Sequence, residues 1–302
     1  MVPVPTRPSL EGTPYDDSLL VNESWTVVTP SRIVQNFFLV AVMDLPRTGG
    51  TVTLRRDFDT RVMGHDAVTI GEQVFMAASS TSVNPRLFRL FDASGAWAPL
   101  VWDRGTATAT YQTSTGSNVA TRALAYDGED LYGFGAASST QLTPAYHWPD
   151  EAPGAATRVA DISGVFEVSG AAMDATNVYL CGRAATGSTT TMRGVYRVAR
   201  ADLADGTATA TQIAYVPVTT TVSCQIVVDD GAAARYLYVR DGVGDVHVVG
   251  DPGGTPRWLG VVFRGDRTLT EAGMDIDHST GALVVFSTRD DVERGNWYEL
   301  RP

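Results

Sequence analysis

The amino-acid sequence predicts an all-β protein, a β-propeller of about six four-stranded blades. Three observations predict this fold: a composition that suits one large β domain, a strand–turn–strand unit that recurs along the chain, and an extended N-terminal segment without a neighbouring strand. The chain has 302 residues, 44% hydrophobic and 19% charged, with 29 glycines and 15 prolines. This composition supplies a sizeable core and leaves little room for long helices. A pair of β-sandwiches and an irregular β-solenoid are the alternative folds.

The recurring unit is a short apolar strand, a turn that carries Asp, Asn or Gly, and a second strand that opens with Leu or Val beside an aromatic residue. It is clearest from Ala125 to Tyr132, and it returns from Ala172 to Tyr179. The turn positions of the six units are Asn22, Ile70, Asp127, Asp174, Asp229 and Asp277. They lie roughly 47 to 57 residues apart, a spacing typical of propeller blades. Asp and Asn suit these turns because their side chains bond the backbone two residues on.

Two further strands complete each unit. In the first and second units these are Phe37–Val42, Thr51–Arg55, Arg86–Phe91 and Trp97–Trp102. The last unit ends one strand short after Asn296–Leu300, and Val2–Thr6 has no partner before the first unit. We therefore expect residues 2–6 to complete the last blade and close the ring, with residues 1–302 forming a single propeller domain. Prolines are tolerated on such an outer strand, and closure removes an exposed edge.

The chain is acidic, with a formal net charge of -11 and an isoelectric point near 4.7. It shows no basic cluster of the kind that nucleic acids or anionic membranes require, and no apolar stretch of the ~20 residues that a membrane span needs. All 23 basic residues are arginine. Codon bias in a GC-rich bacterium explains the absence of lysine, and selection against lysine is the alternative.

The Asp-turn unit resembles those of six-bladed propellers of the TolB-like, YWTD and NHL kinds. The stretch from Asp277 to Val285, with Thr280 and Gly281 after the Asp, is similar to a turn common in such blades and in quinoprotein propellers. The YWTD tetrapeptide is absent, and Asp92 to Trp97 carries only part of a sialidase Asp box. The resemblance covers nearly the whole chain and implies a fold without implying an activity.

One face of the predicted propeller is built from polar loops. The loops between second and third strands are rich in hydroxyl groups in the second to fourth blades and carry Arg–Asp pairs in the fifth and sixth. Arginines and hydroxyls can bond sugars, carboxylates or a partner's backbone, and ordinary solvated loops are the alternative interpretation. The predicted binding residues of this loop face are Arg86, Arg193, Arg240, Asp241, Arg289, Asp290 and Arg294.

A second set of residues enters the innermost strands and is predicted to line the channel mouth. These residues are Asp17, His65, Asp66, Arg122, Gln225, Glu271 and Asp275. Carboxylates beside a histidine can hold Ca²⁺, which prefers several oxygen ligands. Gluconolactonase-like propellers, which the chain resembles only in topology, use a channel metal. No other cofactor is predicted.

Cys181 and Cys224 fall near one face of adjacent blades, either as a disulfide or as a close pair of free thiols. A disulfide would favour an extracellular, periplasmic or cell-surface location. The sequence shows no signal peptide after Met1, so export would require a leader ahead of it. His147 and His247 lie within third strands and are predicted to be packed or surface residues.

No catalytic residues are predicted. The leading hypothesis is a non-enzymatic binding or adhesion module, secreted or surface-attached, that recognises protein or glycan through the loop face. The first alternative is a metal-assisted hydrolase or lactonase at the channel mouth, where a bound metal would activate water or polarise a carbonyl. The second is a structural subunit of a larger assembly.

Overall fold

A computed structural model describes residues 2–3, 25–36, 40–44, 52–55, 63–79, 86–101, 121–135, 142–148, 157–184, 193–216, 224–229, 235–242, 244–265, 272–288 and 295–300. The strands of this part of the chain pair into six sheets. Sheet 1 contains β2 (Trp25–Val28), β3 (Arg32–Asn36), β4 (Val40–Asp44) and β5 (Val52–Arg55). Sheet 2 contains β6 (Met63–Ile70), β7 (Gln73–Ser79), β8 (Arg86–Phe91) and β9 (Trp97–Val101). Sheet 3 contains β10 (Thr121–Tyr126), β11 (Leu131–Gly135), β12 (Thr143–Trp148) and β13 (Thr157–Ser163).

The remaining sheets follow the same plan. Sheet 4 contains β14 (Val165–Met173), β15 (Asn177–Ala184), β16 (Arg193–Ala199) and β18 (Thr211–Val216). Sheet 5 contains β19 (Gln225–Val228), β20 (Tyr236–Arg240), β21 (Val246–Gly250) and β22 (Arg257–Phe263). Sheet 6 contains β23 (Ala272–Asp277), β24 (Ala282–Thr288), β25 (Gly295–Leu300) and the N-terminal β1 (Val2–Pro3). A 3-10 helix (Arg200–Asp205) and β17 (Thr207–Thr209) come between β16 and β18, and β17 runs parallel to β13.

The first strand of each sheet is innermost. Strands β2, β6, β10, β14, β19 and β23 contact one another in that order, and β23 contacts β2 to complete the ring. At the outer side of sheet 6, Val2 pairs with Glu299 and Pro3 with Tyr298, so the N-terminal segment lies where the sequence predicted it. Sheets radiating from a central ring of strands form a β-propeller, and the predicted fold class is confirmed.

The recurring Asp holds the turn between the first and second strands. One carboxylate oxygen of Asp127 accepts the N–H groups of Glu129 and Asp130 at 2.8 and 2.7 Å. Asp174 accepts those of Thr176 and Asn177 at 2.8 and 2.7 Å. Two turn donors are thereby satisfied by one side chain, which is the physical reason for the repeat. These turns define one face of the propeller, called here the Asp-turn face; the opposite one is the loop face.

The core is divided among the interfaces between neighbouring sheets. Between sheets 2 and 3, for example, Phe75 and Leu87 pack with Leu131 and Trp148, all of them buried. The inner strands also approach closely: a Cβ on Gly273 of β23 would collide with the backbone nitrogen of Thr26 in β2. Such contacts leave no room for a side chain at this junction.

The first unit differs from its prediction. With the turn placed at Asn22, the strand after it was expected to be the second of the blade, but Trp25–Val28 is the innermost strand of sheet 1. The next turn lies at Pro30 and Ser31, and the third strand runs over Val40–Asp44 instead of Phe37–Val42. Trp25–Val28 is buried throughout, as an inner strand packed on both faces should be. Asn22 lies outside the described residues.

Candidate functional site

Polar side chains of the inner strands connect each sheet to the next. Asp66 of β6 accepts the N–H of Leu124 in β10 at 2.9 Å, and Asp275 of β23 accepts that of Val28 at 2.7 Å. Gln225 of β19 accepts the N–H of Met274 at 2.9 Å and donates to the carbonyl of Thr26 at 3.3 Å. Three residues predicted at the channel mouth therefore satisfy backbone groups of neighbouring sheets, a role in holding the ring together.

Asp66 and Arg240 are electrostatic neighbours in the interior. Burial raises the pKa of Asp66 well above its usual value, and the positive charge of Arg240 opposes part of that rise. Burial lowers the pKa of Arg240 to about 10, and Asp241 and Asp66 oppose that fall. Both shifts have the same physical cause, because removal from water disfavours the charged form of either group.

Arg240 and Asp241 do not lie on an exposed rim, which corrects the sequence-based expectation for these two residues. Their side chains are buried, at the point where β20 ends and the chain turns toward β21. Asp241 accepts the N–H of Asp245 at 3.0 Å, and its second oxygen lies 3.0 Å from Nε2 of buried His247. Asp245 in turn accepts from Arg264 at 2.7 Å. The Arg–Asp loop of sheet 5 thus packs inward.

The other predicted residues are placed as follows. Arg122 is half-buried in β10, and burial lowers its pKa. Arg86 and Arg193 begin the third strands β8 and β16, and His65 lies within β6. Asp17, Glu271, Arg289, Asp290 and Arg294 lie outside the described residues.

The central channel contains a cavity of about 360 Å³ that reaches the Asp-turn face. Its lining mixes small apolar side chains with Gln225 and four aspartates, Asp66, Asp127, Asp174 and Asp275. A second cavity, of about 580 Å³, lies between sheets 3 and 4 beneath the 3-10 helix. Both volumes fall in the range of small-molecule sites.

The second cavity combines stacked rings with ion pairs. The rings of Tyr132 and His147 stack with centroids 4.8 Å apart, and Nε2 of His147 lies 2.8 Å from Asp130. Arg200 from the 3-10 helix donates to Asp127, so sheet 4 is tied to the Asp turn of sheet 3. His147 is therefore a packed strand residue, and the charges of this cavity bridge two sheets.

Sheets 4 and 5 are joined covalently. Cys181 of β15 and Cys224, directly before β19, form a disulfide with Cα atoms 6.2 Å apart. Both cysteines are buried, and the N–H of Cys224 donates to Ser169 of β14 at 3.0 Å. At the Asp-turn face, Arg197 of sheet 4 donates to three carbonyl groups of the turn at 252–254 in sheet 5. The junction is therefore fixed at both the centre and the rim.

Sheet 5 also carries an apolar surface that sequence reasoning missed. Among the side chains that the structure describes, every exposed large hydrophobic one lies on this sheet: Trp258 (60% exposed), Leu259 (55%), Val262 (48%) and Tyr236 (42%). Three of them belong to β22, and no described strand pairs with its outer side. We call Tyr236 and β22 the sheet 5 edge. The sequence signal was the run Trp258-Leu-Gly-Val-Val, which reads equally well as a buried strand.

Within the described residues, no helix is long and apolar enough to cross a membrane. The same part of the chain contains no group of three or more potential metal ligands. Two residues of the predicted Ca²⁺ set, Asp17 and Glu271, are outside it, so the channel metal stays a prediction.

No protein-family model matches the chain, and no curated protein matches its sequence. Among solved structures, it is similar to the Trypanosoma rangeli sialidase, with a TM-score of 0.57 and 12% identity over 91% of this chain and 54% of that one. It is also similar to the Kuenenia stuttgartiensis hydrazine synthase, with a TM-score of 0.58 and 8% identity over 97% and 99% of the two chains. The chain thus spans about half the length of the sialidase. Identities this low show a shared β-propeller fold and no more.

Proposed function

We propose that this chain is a six-bladed, non-enzymatic binding module that recognises a protein partner through the sheet 5 edge. The observation that supports the proposal is the concentration of exposed large apolar side chains on one outer strand. Exposed apolar clusters of this kind mark interaction surfaces in soluble proteins, and Trp and Tyr are frequent energetic centres of such interfaces.

The contrast with three other outer strands supports a specific role. β13 is covered by β17, and β25 is covered by β1. β9 carries an exposed proline, Pro99. These are common means of protecting a sheet edge from pairing with other chains. β22 has seven residues, opens with three exposed ones and has no described strand on its outer side, so we propose that this edge accepts an added strand.

Charge favours an acidic extended segment as the occupant. Arg257 begins β22 and Arg264 follows it, on a chain whose net charge is -11. Arg264 keeps a 66% exposed side chain although it also bonds Asp245. Antiparallel pairing with a second copy would bring Arg257 of one copy beside Arg264 of the other at both ends of the paired strands. The two arginines would repel each other, whereas a segment with apolar residues between acidic ones would place a carboxylate beside each of them.

The disulfide is compatible with an oxidising compartment, and we place the protein outside the cytoplasm as part of the proposal. A glycan ligand and a fixed place in a larger assembly are the competing outcomes of the test below. Elemental analysis of the purified chain would test the predicted Ca²⁺ separately.

A random peptide display library panned on the full chain tests the proposal. Selected peptides should be rich in apolar and acidic residues, and Trp258→Ser should weaken their binding by about 30-fold or more. Thr211→Ala, on the outer strand of sheet 4, is the matched control and should bind as the wild type does. Peptides that bind Trp258→Ser as tightly as wild type, or a ligand found only on a glycan array, would overturn the proposal.

A further inference from the structure

The second cavity, between sheets 3 and 4, exists because small side chains meet where larger ones would fill the space. The 3-10 helix contributes the buried Leu203, but its other apolar lining residues are alanines. Protein interiors are normally filled by interdigitating side chains, so a space of about 580 Å³ beside a packed core is a distinct feature of this junction. The cavity opens to solvent, because four of its lining residues are exposed: Ala175, Thr176, Ala201 and Ala204.

The 3-10 helix that covers this cavity is fixed along its length. At its start, Arg200 donates to Asp127 of sheet 3. In its middle, Leu203 belongs to the hydrophobic core of sheets 3 and 4. After its end, the carbonyl of Gly206 accepts the N–H of Asp161 in β13 at 3.1 Å. The cavity is therefore preformed, and little ordering of the chain would oppose the binding of a ligand.

Two polar side chains of the lining keep hydrogen-bonding capacity. The hydroxyl of Tyr132 is bonded to the guanidinium of Arg200, and because arginine only donates, the hydroxyl oxygen accepts. No described residue accepts the hydrogen of that hydroxyl, and burial raises the pKa of Tyr132, so the phenol stays a donor. Nε2 of His147 lies 2.8 Å from Asp130. An ionised carboxylate only accepts, so Nε2 carries the hydrogen and Nδ1 of the neutral ring is an acceptor.

The charges at this cavity favour neither an anion nor a cation. Arg200 is the permanent cation of the described lining, and Asp127 already neutralises it. The same lining contains no carboxylate, and that of nearby Asp130 is engaged with His147. A neutral ligand therefore avoids the cost of bringing an unpaired charge into a largely apolar space.

We propose that the second cavity binds a small planar molecule that carries an uncharged amide group. An amide presents a carbonyl acceptor next to an N–H donor, which complements the hydroxyl of Tyr132 and the imidazole of His147. A flat ring suits a lining that is otherwise apolar and includes these two stacked aromatic side chains. This site lies away from the sheet 5 edge and goes beyond the proposed binding of a protein partner.

Saturation-transfer NMR of the full chain with three compounds of nearly equal shape tests the proposal. Benzamide is neutral, benzoate is an anion and benzamidine is a cation. We expect benzamide to bind with a dissociation constant on the order of 1 mM, as suits a compound of its size, and at least about fivefold more tightly than either charged compound. Tyr132→Phe should weaken the binding of benzamide about fivefold, because one hydrogen bond is lost.

Ala201→Leu fills the cavity from the 3-10 helix and should abolish the binding of benzamide. Ala93→Leu, an equal change at an exposed turn of sheet 2, is the matched control and should bind as the wild type does. Trp258→Ser should also bind normally, which separates this site from an aromatic contact at the sheet 5 edge. If Ala201→Leu does not fold, Ala204→Leu fills the same space and serves in its place.

Three results would overturn the proposal: no saturation of benzamide by the wild type, equal binding of the three compounds, or full binding by the cavity-filling variant. Loss of binding in Trp258→Ser would place benzamide at the sheet 5 edge and would overturn it as well. An unchanged affinity in Tyr132→Phe would contradict the assignment of the Tyr132 hydroxyl as the donor to the amide.

Discussion

The disulfide between sheets 4 and 5 is expected to contribute a large share of the stability of the chain. Cys181 and Cys224 are separated by 43 positions and join two neighbouring sheets. In the chain-entropy description of cross-links, closing a loop of this length removes enough freedom from the unfolded chain to contribute about 4 kcal/mol. Net stabilities of domains are commonly about 5–15 kcal/mol, so opening the bridge should be readily measured.

Urea unfolding of Cys181→Ala, of Cys224→Ala and of the double variant measures this contribution. Either single substitution opens the bridge, so all three should lose a similar amount, about 4 kcal/mol, and reduced wild type should behave alike. Thiol titration of oxidised, denatured wild type should find no free thiol. A loss below about 1 kcal/mol, or two titratable thiols, would refute the account of this junction.

Two further predictions concern the inner ring. Asp66→Asn keeps an acceptor for the N–H of Leu124 but removes a carboxyl whose pKa is raised in the folded protein. In the wild type, ionisation of Asp66 therefore costs stability once the pH exceeds the pKa of the unfolded chain, about 3.9. The advantage of the variant over wild type in urea unfolding should grow as the pH rises above 4, by up to about 1.4 kcal/mol per pH unit, until the pH reaches the raised folded pKa. A difference that does not change with pH would contradict the assignment. Gly273→Ala should cost about 1–3 kcal/mol because its Cβ meets the backbone of Thr26. Gly253→Ala is the control, because neither glycine has a positive φ and a Cβ on Gly253 would make only ordinary contacts from 3.4 Å outward; equal losses would argue against the close approach.

The repeat was visible in the sequence because an Asp performs the same local task in the third to sixth units. Asp127 and Asp174 hold their own turns through bonds to residues two and three positions away. Bonds this local can be predicted from the sequence without knowing the fold. The prediction was wrong for the first unit because its turn at Pro30 and Ser31 has no Asp and was not recognised. Trp25–Val28 was therefore placed one strand too far outward.

The site was less predictable because it depends on contacts between distant parts of the chain. Asp66 and Gln225 were recognised as inner-strand residues, but their bonds to the backbone of neighbouring sheets join positions 58 and 49 residues apart. Arg240 was assigned to an exposed loop because it opens the polar run Arg240-Asp-Gly between the second and third strands, and nothing in that run indicates burial. The sheet 5 edge was missed because a short apolar run in the sequence is equally consistent with a buried strand and with an exposed one.

A crystal structure of the full chain bound to a selected peptide tests strand addition at the sheet 5 edge most directly. We expect the peptide to lie as a fifth strand along β22, with its apolar side chains against Trp258 or Leu259 and its acidic residues beside Arg257 and Arg264. Alternate N-methylation of the peptide backbone, which removes strand donors without changing side chains, should then weaken binding. A peptide bound in the channel, on the opposite side of the propeller or as a helix would contradict the claim.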